Sequence, residues 1–244
     1  MENTLKRDIE QRFVGLCTGV GRRGVIGFAP VEGIGLLPEQ AQRLQEKLAP
    51  FAAGSRPGAV SIGLCYHEAE IRAIPSAWQS KKTVDDPWNR YARAYRELNH
   101  ALDQVSSALA AEFGGVAEKA TIEGWAGRVQ HVGDYFAHCI SHRAFAEAAG
   151  LGWRGRHGLI VTPEVGPALR FATVFVPGRI AAQPRKLPGC GECRACLDVC
   201  PILRRGGDHR EGCRRRIHGH GLEADVCGIC VRVCREQVGR ATTR

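Results

Sequence analysis

Helix signals mark four stretches in the first 150 residues. Apolar positions at helical spacing, or a capping residue before them, predict helices over residues 5–17, 38–48, 85–113 and 142–149. Pro38 occupies a favoured first-turn position in the second helix, and Ser141 is a candidate N-cap for the fourth. Gly114 follows the long third stripe as a typical helix-ending residue. The sequence therefore predicts helix boundaries as well as helices.

Short apolar runs rich in β-branched residues lie between and after these helices. They predict strands over residues 25–29, 60–65, 118–122, 158–162 and 170–175. Because strands and helices alternate, residues 1–183 are predicted to form a layered α/β, or more broadly α+β, domain in which helices cover a sheet. A linker is predicted over residues 181–188, and residues 184–244 are predicted to form a second, small domain.

The composition is that of a globular protein. Of the 244 residues, 44% are hydrophobic and 24% are charged, which excludes the disordered class. The first ten residues alternate charge with isolated apolar side chains, unlike a signal peptide, and no 18-residue apolar run occurs that could span a membrane. A cytoplasmic protein with no membrane association is expected, and its 11 cysteines are then reduced thiols or metal ligands.

The candidate chemistry is concentrated in the last quarter of the chain. Cys190, Cys193, Cys196 and Cys200 stand two, two and three residues apart and are followed by Pro201, which is the spacing of bacterial ferredoxins. In proteins with two [4Fe-4S] clusters, the fourth cysteine of such a run binds the other cluster. A second set of thiolate ligands is therefore predicted downstream.

Eight cysteines divide into two sets of four under this rule. The first cluster is assigned Cys190, Cys193, Cys196 and Cys234, and the second is assigned Cys200, Cys213, Cys227 and Cys230. Cys213 is assigned by elimination, since no other thiol is left nearby. The second domain is accordingly predicted to be bacterial-ferredoxin-like, with two [4Fe-4S] clusters.

Two other uses of the cysteines fit less well. Two four-cysteine zinc sites would need as many thiolates, but zinc sites favour paired CxxC knuckles. A disulfide framework is disfavoured because the chain is long and carries no export signal. The remaining thiols, Cys17, Cys65 and Cys139, lie among apolar residues and are expected to behave as small hydrophobic side chains.

The net charge of +9 is unevenly placed. From residue 185 onward, 13 Lys and Arg residues face seven Asp and Glu residues, a surplus of six. The run Arg214, Arg215 and Arg216 has two interpretations that stay open here. It could offset the negative charge of thiolate-bound clusters, or it could form a basic patch for nucleic acid.

Two glycine-rich stretches and one histidine group suggest sites that their context does not support. Residues 19–24 and 150–155 both match GxGxxG, but each follows a helix and precedes a strand, the reverse of the dinucleotide-binding order. NAD binding is therefore not expected. His131, His138 and His142 surround Cys139 at spacings that match no established metal site, so ordinary partly buried histidines are expected.

Three segments together resemble a known family. Residues 140–153 read ISHRAFAEAAGLGW, residues 154–166 read RGRHGLIVTPEVG, and the cysteine run follows. This combination is similar to the epoxyqueuosine reductase family of iron-sulfur proteins, which carry an AGLGW segment, a TPE-x-G segment and two [4Fe-4S] clusters. Residues 25–30 also resemble the first strand of that family.

The resemblance implies a base-off cobalamin held between the α/β domain and the cluster domain, with the clusters delivering electrons to it one at a time. Gly150, Gly152, Trp153 and Gly155 would then shape the wall against the corrin. A low-potential electron donor such as ferredoxin or flavodoxin is the implied partner.

The chain departs from the family at the proton donor. The family's aspartate falls at Phe136, which cannot donate a proton. Asp134, two residues away, and His142, at the start of a predicted helix, are the candidate catalytic residues in its place, with His138 and His157 as further candidates near the same glycine-rich turn. The alternative for Asp134 is that it caps a turn.

The resemblance also bears on the substrate. The family's tRNA-binding members continue into a helical-repeat region, whereas this sequence ends at Arg244, so a short form is expected for which tRNA is not the main substrate. The leading hypothesis is a corrinoid-dependent reductase with an unidentified substrate. The alternative is an electron-transfer protein that activates a partner redox or corrinoid protein and has no substrate of its own.

Overall fold

The computed structural model describes residues 2–52, 56–76, 87–120, 124–182, 185–207 and 209–241. The predicted helix start at Asp85 and Asp86, the end of the predicted strand at Ile122 and the proposed domain boundary between residues 183 and 184 lie outside these ranges. The helices and strands below are those of the described residues.

Four of the strands form one antiparallel sheet in the order β1-β2-β6-β3. A separate two-stranded hairpin is made by β4 and β5. The bounds are β1 (Gly24–Pro30), β2 (Gly58–Cys65), β3 (Val116–Glu118), β4 (Trp153–Arg154), β5 (Ile160–Val161) and β6 (Leu169–Val176). The predicted strands β1, β2 and β6 are confirmed within two residues at each end.

The helices fall into two groups along the chain, one before the cysteine run and one carrying most of the cysteines. The first group is α1 (Glu2–Gly19), α2 (Pro38–Leu48), α3 (Glu68–Ala73), α4 (Pro87–Glu112), α5 (Trp125–Arg128), α6 (Val132–Phe136) and α7 (His142–Ala148). Of these, α1, α2, α4 and α7 cover the sheet. The second group is α8 (Ala195–Val199), α9 (Pro201–Arg205), α10 (His209–His220) and α11 (Ile229–Ala241). The four helices predicted from the sequence are confirmed as α1, α2, α4 and α7.

Both faces of the sheet are covered, because every residue of β2 is buried. Side chains alternate along a strand, so Val60 and Ala59 point to opposite faces. Val60 belongs to the core shared with α1 and α4, which includes Leu98. Ala59 belongs to a smaller core with α2 and α7, where the rings of Phe145 and Phe175 meet edge to face at 5.4 Å. The predicted arrangement of helices over a sheet is confirmed.

Two glycines lie where the bounds of β3 and β5 differ from the predicted strands. Gly114 has φ +63° and turns the chain at the end of α4, so pairing with β6 begins at residue 116, two residues before the predicted start of the strand; residues 121 and 122 of that prediction lie outside the described ranges. Gly158 has φ +79° and reverses the chain within the predicted strand 158–162, which leaves Ile160 and Val161 paired with β4 and Thr162 in an isolated bridge with Gly166. The sequence shows where the glycines are, but it does not show which of them adopt a positive φ in the folded chain.

The end of α7 approaches the sheet closely at β1. A β-carbon on Gly27 would lie 2.9 Å from the carbonyl oxygen of Ala149. Gly150, at φ +68°, then turns the chain out of the helix towards the β4–β5 hairpin. Glycine at position 27 therefore sets how near the glycine-rich segment lies to the sheet.

The second group of helices forms the last part of the described chain. Residues 185–207 and 209–241 contain helices and irregular segments and no strand. Helices α8, α9 and α11 share a small apolar cluster in which Cys196, Cys200 and Leu203 are buried. Of all helices in the described part of the chain, none is long and apolar enough to cross a membrane.

Candidate functional site

The cysteine region has a small core in which thiols pack among aliphatic side chains. Cys196 is 7% exposed and Cys200 is 4% exposed, and Cys230 of α11 packs against them. All 11 cysteines are free thiols. Helices α8 and α11 thus bring thiols from both ends of the region to one place, although more than 30 residues separate them in the sequence.

The thiols of the first predicted set lie near one another. Burial, together with the neighbouring Cys196, Cys190 and Cys193, raises the pKa of the Cys234 thiol to about 12. Cys190, Cys193 and Cys196 come from the loop before α8 and its start, whereas Cys234 is in the middle of α11. The long-range member of this set is therefore brought in by helix packing.

The thiols of the second predicted set also lie near one another. Burial raises the pKa of Cys213 to about 12, with further contributions from Cys200 and Cys227. Burial likewise raises the pKa of Cys230, with further contributions from Cys227, Cys213, Cys200 and, from the first predicted set, Cys196. The thiols that act on Cys213 belong to the set to which the sequence assigns it by elimination. Among the described residues, no three His, Cys, Asp or Glu side chains converge tightly enough to hold a single metal ion.

The arginine run of α10 divides between three environments. Arg214 is 9% exposed and donates to the carbonyl oxygens of Ala126 (2.8 Å), Val129 (3.0 Å) and Gln130 (2.9 Å). Arg216 donates from Nε to the Sγ of Cys227 at 3.4 Å. Arg215 has a side chain that is 73% exposed. The run is therefore not one continuous basic surface.

Arg214 and Glu211 together fasten α10 to the segment before α6. The guanidinium hydrogen bonds lower the pKa of Glu211 to about 2, so this buried carboxylate is ionised. Glu211 accepts a hydrogen bond from the backbone N–H of Val132 at 2.8 Å. Since α6 begins at Val132 and includes Asp134, the cysteine region directly positions one of the candidate catalytic residues.

A second arginine connects the hairpin to the cysteine loop. Arg156, which follows β4, donates to the carbonyl oxygens of Cys193 (3.0 Å) and Gly191 (2.8 Å). These two carbonyls lie in the loop that carries the first predicted cluster ligands. The glycine-rich segment and the cysteine loop are therefore held against each other by a single side chain.

The four residues expected to line a corrin all lie at or beside the β4–β5 hairpin. Gly150 ends α7, while Gly152 packs its backbone against the carbonyl group of Val161. A β-carbon on Gly155 would lie 2.8 Å from the His157 ring. These glycines permit close packing inside the segment itself. Trp153 contributes an indole Nε1–H that is buried without a hydrogen-bond partner.

Asp134 is an exposed residue whose carboxylate is used in capping α6. Its Oδ2 accepts the backbone N–H of His131 at 2.8 Å, while His131 Nδ1 accepts the N–H of Gly133 at 3.1 Å. The two side chains thus form a reciprocal cap. Phe136, at the family position of the proton donor, lies beneath the guanidinium of Arg210, with 5.5 Å from Cζ to the ring centroid.

His142 has both ring nitrogens engaged. Its Nε2 lies 2.8 Å from the carbonyl oxygen of Lys119 and must carry the proton, while Nδ1 lies 3.0 Å from the Thr173 hydroxyl and accepts from it. Burial lowers the pKa of this imidazole, which is therefore neutral at pH 7. Hydrogen bonding within the fold accounts for this histidine, and the same holds for the helix-capping His131.

Several basic residues at this junction were not singled out in the sequence. Arg143 and Arg156 each make one or two hydrogen bonds to backbone carbonyls, and Arg210 stacks on Phe136. Arg170 of β6 is held by the aromatic stripe of α4, with Cζ 4.4 Å from the ring centroid of Tyr95. An arginine inside an amphipathic or apolar stretch is the only available signal, and it does not say which partner the side chain will find.

Comparison with known proteins places these features in context. A curated epoxyqueuosine reductase from Pseudomonas aeruginosa is 30% identical over 133 residues, covering 53% of this chain and 33% of that protein. Another from Alicycliphilus denitrificans is 31% identical over 104 residues, covering 37% and 29%. The chain thus spans about a third of the length of these relatives. No family model matches the sequence.

A solved structure shares the fold across most of the chain. It is a catabolic reductive dehalogenase in complex with 3-bromo-4-hydroxybenzoic acid, with a TM-score of 0.58 and 16% identity. The match covers 91% of this chain and 31% of the dehalogenase chain. At that identity the likeness concerns the fold alone.

Proposed function

We propose that this chain, a member of an epoxyqueuosine reductase-like group by its sequence, is an iron-sulfur redox protein that acts as a corrinoid-dependent reductase on a substrate still to be identified. The observation that carries the proposal is the gathering of eight thiols into two groups of four, each completed by a residue distant in sequence. Such thiolate sets are the ligands of [4Fe-4S] clusters.

The two groups fit two clusters. Cys234 would complete the cluster held by the 190–196 loop, and Cys213 would complete the one held by Cys200 and the 227–230 turn. Arg216 supports this use, because its Nε already donates to the Cys227 sulfur and such hydrogen bonds stabilise electron-rich thiolates. When bound, the clusters would supply one-electron transfer at low potential.

One observation supports a corrinoid site at the β4–β5 hairpin, where the hairpin meets the cysteine loop. Trp153 Nε1 and His157 Nε2 are buried polar atoms without a hydrogen-bond partner, and corrinoids carry amide side chains that could accept from them. A bound cobalamin would supply a strongly reducing cobalt centre. Arg156 would keep the hairpin in contact with the cysteine loop, so that a group held by one lies near the other.

Few residues of this chain are candidates for donating the proton. Asp134 keeps its place as first candidate, because it is exposed and is held in register by the Arg214–Glu211 pair through α6. It would have to leave its capping interaction with His131 to serve as a donor. His142 is the second candidate and would have to give up the Lys119 carbonyl.

An electron-transfer protein without a substrate of its own is the second candidate function. The observation that favours it is Phe136, which occupies the family's proton-donor position and is covered by Arg210. In either function, electrons would enter the protein at the 190–194 loop, where Cys193 is exposed and Arg194 adds positive charge. An acidic low-potential protein, such as a ferredoxin or flavodoxin, is the proposed donor.

The basic residues also bear on nucleic acid. Because Arg214 is buried, Arg216 donates from Nε to a thiol and Arg215 lies 3.6 Å from Glu211, the run does not present three free charges to phosphates. We therefore propose that tRNA is not the main substrate.

Anaerobic purification in the presence of cobalamin, followed by metal analysis, tests the proposal. We expect about eight iron atoms per chain and a stoichiometric corrinoid. Cys213→Ala is expected to lose about half of the iron, and Cys17→Ala, which removes a buried thiol outside both sets, should lose none. Stoichiometric zinc, or iron near four in the unaltered chain, would contradict the cluster assignment.

Activity of variants tests the proton donors once a substrate is known. Asp134→Asn and His142→Phe should leave the iron content unchanged. Loss of turnover in Asp134→Asn with intact clusters supports a reductase in which Asp134 donates the proton, whereas full turnover of both variants across the pH range would exclude both residues as donors.

A further inference from the structure

One face of α10 carries both a predicted cluster ligand and an arginine. Cys213 and Arg216 are three residues apart in this helix, so their side chains are neighbours on the same face. The Nε of Arg216 donates a hydrogen bond to the Sγ of Cys227 at 3.4 Å. Burial raises the pKa of Cys213 to about 12, and the positive charge of Arg216 opposes that rise. Arg216 therefore acts on two thiols of the second predicted set.

The orientation of Arg216 is fixed by the anchoring of α10. Arg214 is buried and donates to three backbone carbonyl groups within residues 126–130. The side chain of Arg215 is 73% exposed. Because Arg214 holds one side of the helix against the sheet region and Arg215 points into water, Arg216 is directed at the turn that carries Cys227.

That turn is itself held by the sheet region. A β-carbon on Gly228 would overlap the ring of Tyr91 from α4, so the backbone of the turn lies directly against this ring. Burial raises the pKa of Cys230, the next ligand along the chain, well above its usual value. Cys200 of the same set is 4% exposed. Little water is therefore available to stabilise negative charge at the second set, and the guanidinium takes its place.

The first predicted set lacks a comparable donor. Within the described ranges, no side chain donates a hydrogen bond to the sulfur of Cys190, Cys193, Cys196 or Cys234. Arg156 reaches the same loop but donates to two backbone carbonyl oxygens. Cys193 is exposed to water. The two sets thus differ in what stabilises added negative charge, which is water at the first and a guanidinium at the second.

We propose that Arg216 is a positioning residue that raises the reduction potential of a cluster bound by the second set, through its N–H···S hydrogen bond to Cys227. The inference rests on the proposed function, because it requires clusters at both sets. Reduction adds one electron from a low-potential donor, and no bond is made or broken. A hydrogen bond to a ligand sulfur and a fixed positive charge stabilise the reduced state more than the oxidised state, which raises the potential.

Redox titration of the anaerobically reconstituted full chain with dithionite and mediators, followed by electron paramagnetic resonance, tests this role. The signal that is absent from Cys213→Ala identifies the second cluster. In Arg216→Gln, the equilibrium constant for reducing this cluster is expected to fall about tenfold, because a hydrogen bond from a charged group is lost. The midpoint potential of the first cluster should not change.

Arg215→Gln is the matched control, because it removes the same charge from the neighbouring exposed residue and should leave both potentials unchanged. Arg216→Lys keeps the charge without the planar Nε donor, so a smaller shift in the same direction is expected. An unchanged potential of the second cluster in Arg216→Gln, or an equal shift in Arg215→Gln, would overturn the proposal.

Iron content separates this result from a failure of the proposed function. If Arg216→Gln does not retain the second cluster, Arg216→Lys decides the outcome, and an unchanged potential in that variant overturns the proposal. An unaltered chain that does not hold two clusters would overturn the proposed function and the role of Arg216 together.

Discussion

The sheet region, residues 2–182, and the cysteine region, residues 185–241, bury different kinds of side chain. In the sheet region, aliphatic and aromatic residues fill both faces of β2. In the cysteine region, the apolar cluster contains only one fully aliphatic buried residue, Leu203, beside Cys196 and Cys200. The first region is stabilised mainly by burying apolar area, whereas the second depends on thiols and a buried ion pair.

This difference explains why sequence similarity to a family can be strong in the cysteine region although its hydrophobic core is small. A core of aliphatic residues tolerates exchange of one apolar side chain for another of similar volume. A metal-ligand set tolerates none, because thiolate, spacing and geometry are all required. The small size of the cysteine region also means that its stability must come from something other than a large core.

Removal of iron should produce the largest difference in amide protection between the two regions. Because binding free energy of a metal centre contributes directly to folding, we expect α8 to α11 to lose most of their amide protection after anaerobic chelation. Strands β2 and β6 should keep most of theirs, since their core consists mainly of aliphatic and aromatic residues of the sheet region and only Cys230 among the candidate ligands packs against it. Hydrogen-exchange mass spectrometry measures both. Protection of α8 to α11 that survives iron loss would show that the helices stand on their own packing.

Truncation of a buried side chain in the sheet region should have the next largest effect, on the free energy of unfolding. Leu98 is fully buried between α4 and the sheet, so Leu98→Ala is expected to lower the free energy of unfolding by about 2–5 kcal/mol. Val14→Ala, at a residue that is 63% exposed on α1, should change it by less than about 0.5 kcal/mol. Denaturant unfolding followed by tryptophan fluorescence gives both values, and equal effects would argue against the assigned core.

Replacement of Arg214 should give a smaller, local effect at the boundary of the regions. Arg214→Gln leaves Glu211 and three carbonyl groups without their donor, so amide protection is expected to fall over residues 126–132 and α10. Arg215→Gln removes an equal charge from an exposed position and should leave protection unchanged. A uniform loss across the chain in Arg214→Gln would indicate a global role in place of this local one.

The elements of the sheet region were predictable from local pattern alone. Periodicity located α1, α2 and α4, and the apolar runs located β1, β2 and β6, because burial of one face fixes the spacing of apolar residues. The division of the cysteines into two sets is a prediction from their spacing, with Cys213 added by elimination. Strand direction was not, since an alternation of strands and helices is compatible with parallel and antiparallel sheets.

What only the tertiary structure decided is which polar side chains meet. The sequence shows Arg214, Arg215 and Arg216 as one basic run, and packing sends the first into the fold, leaves the second in water and turns the third to a thiol. It shows Arg143 and His157 as isolated residues, and the turn at Gly158 brings Arg143 near α10. Hydrophobic burial is set by local spacing, whereas a hydrogen bond or an ion pair needs a partner that only the folded chain supplies.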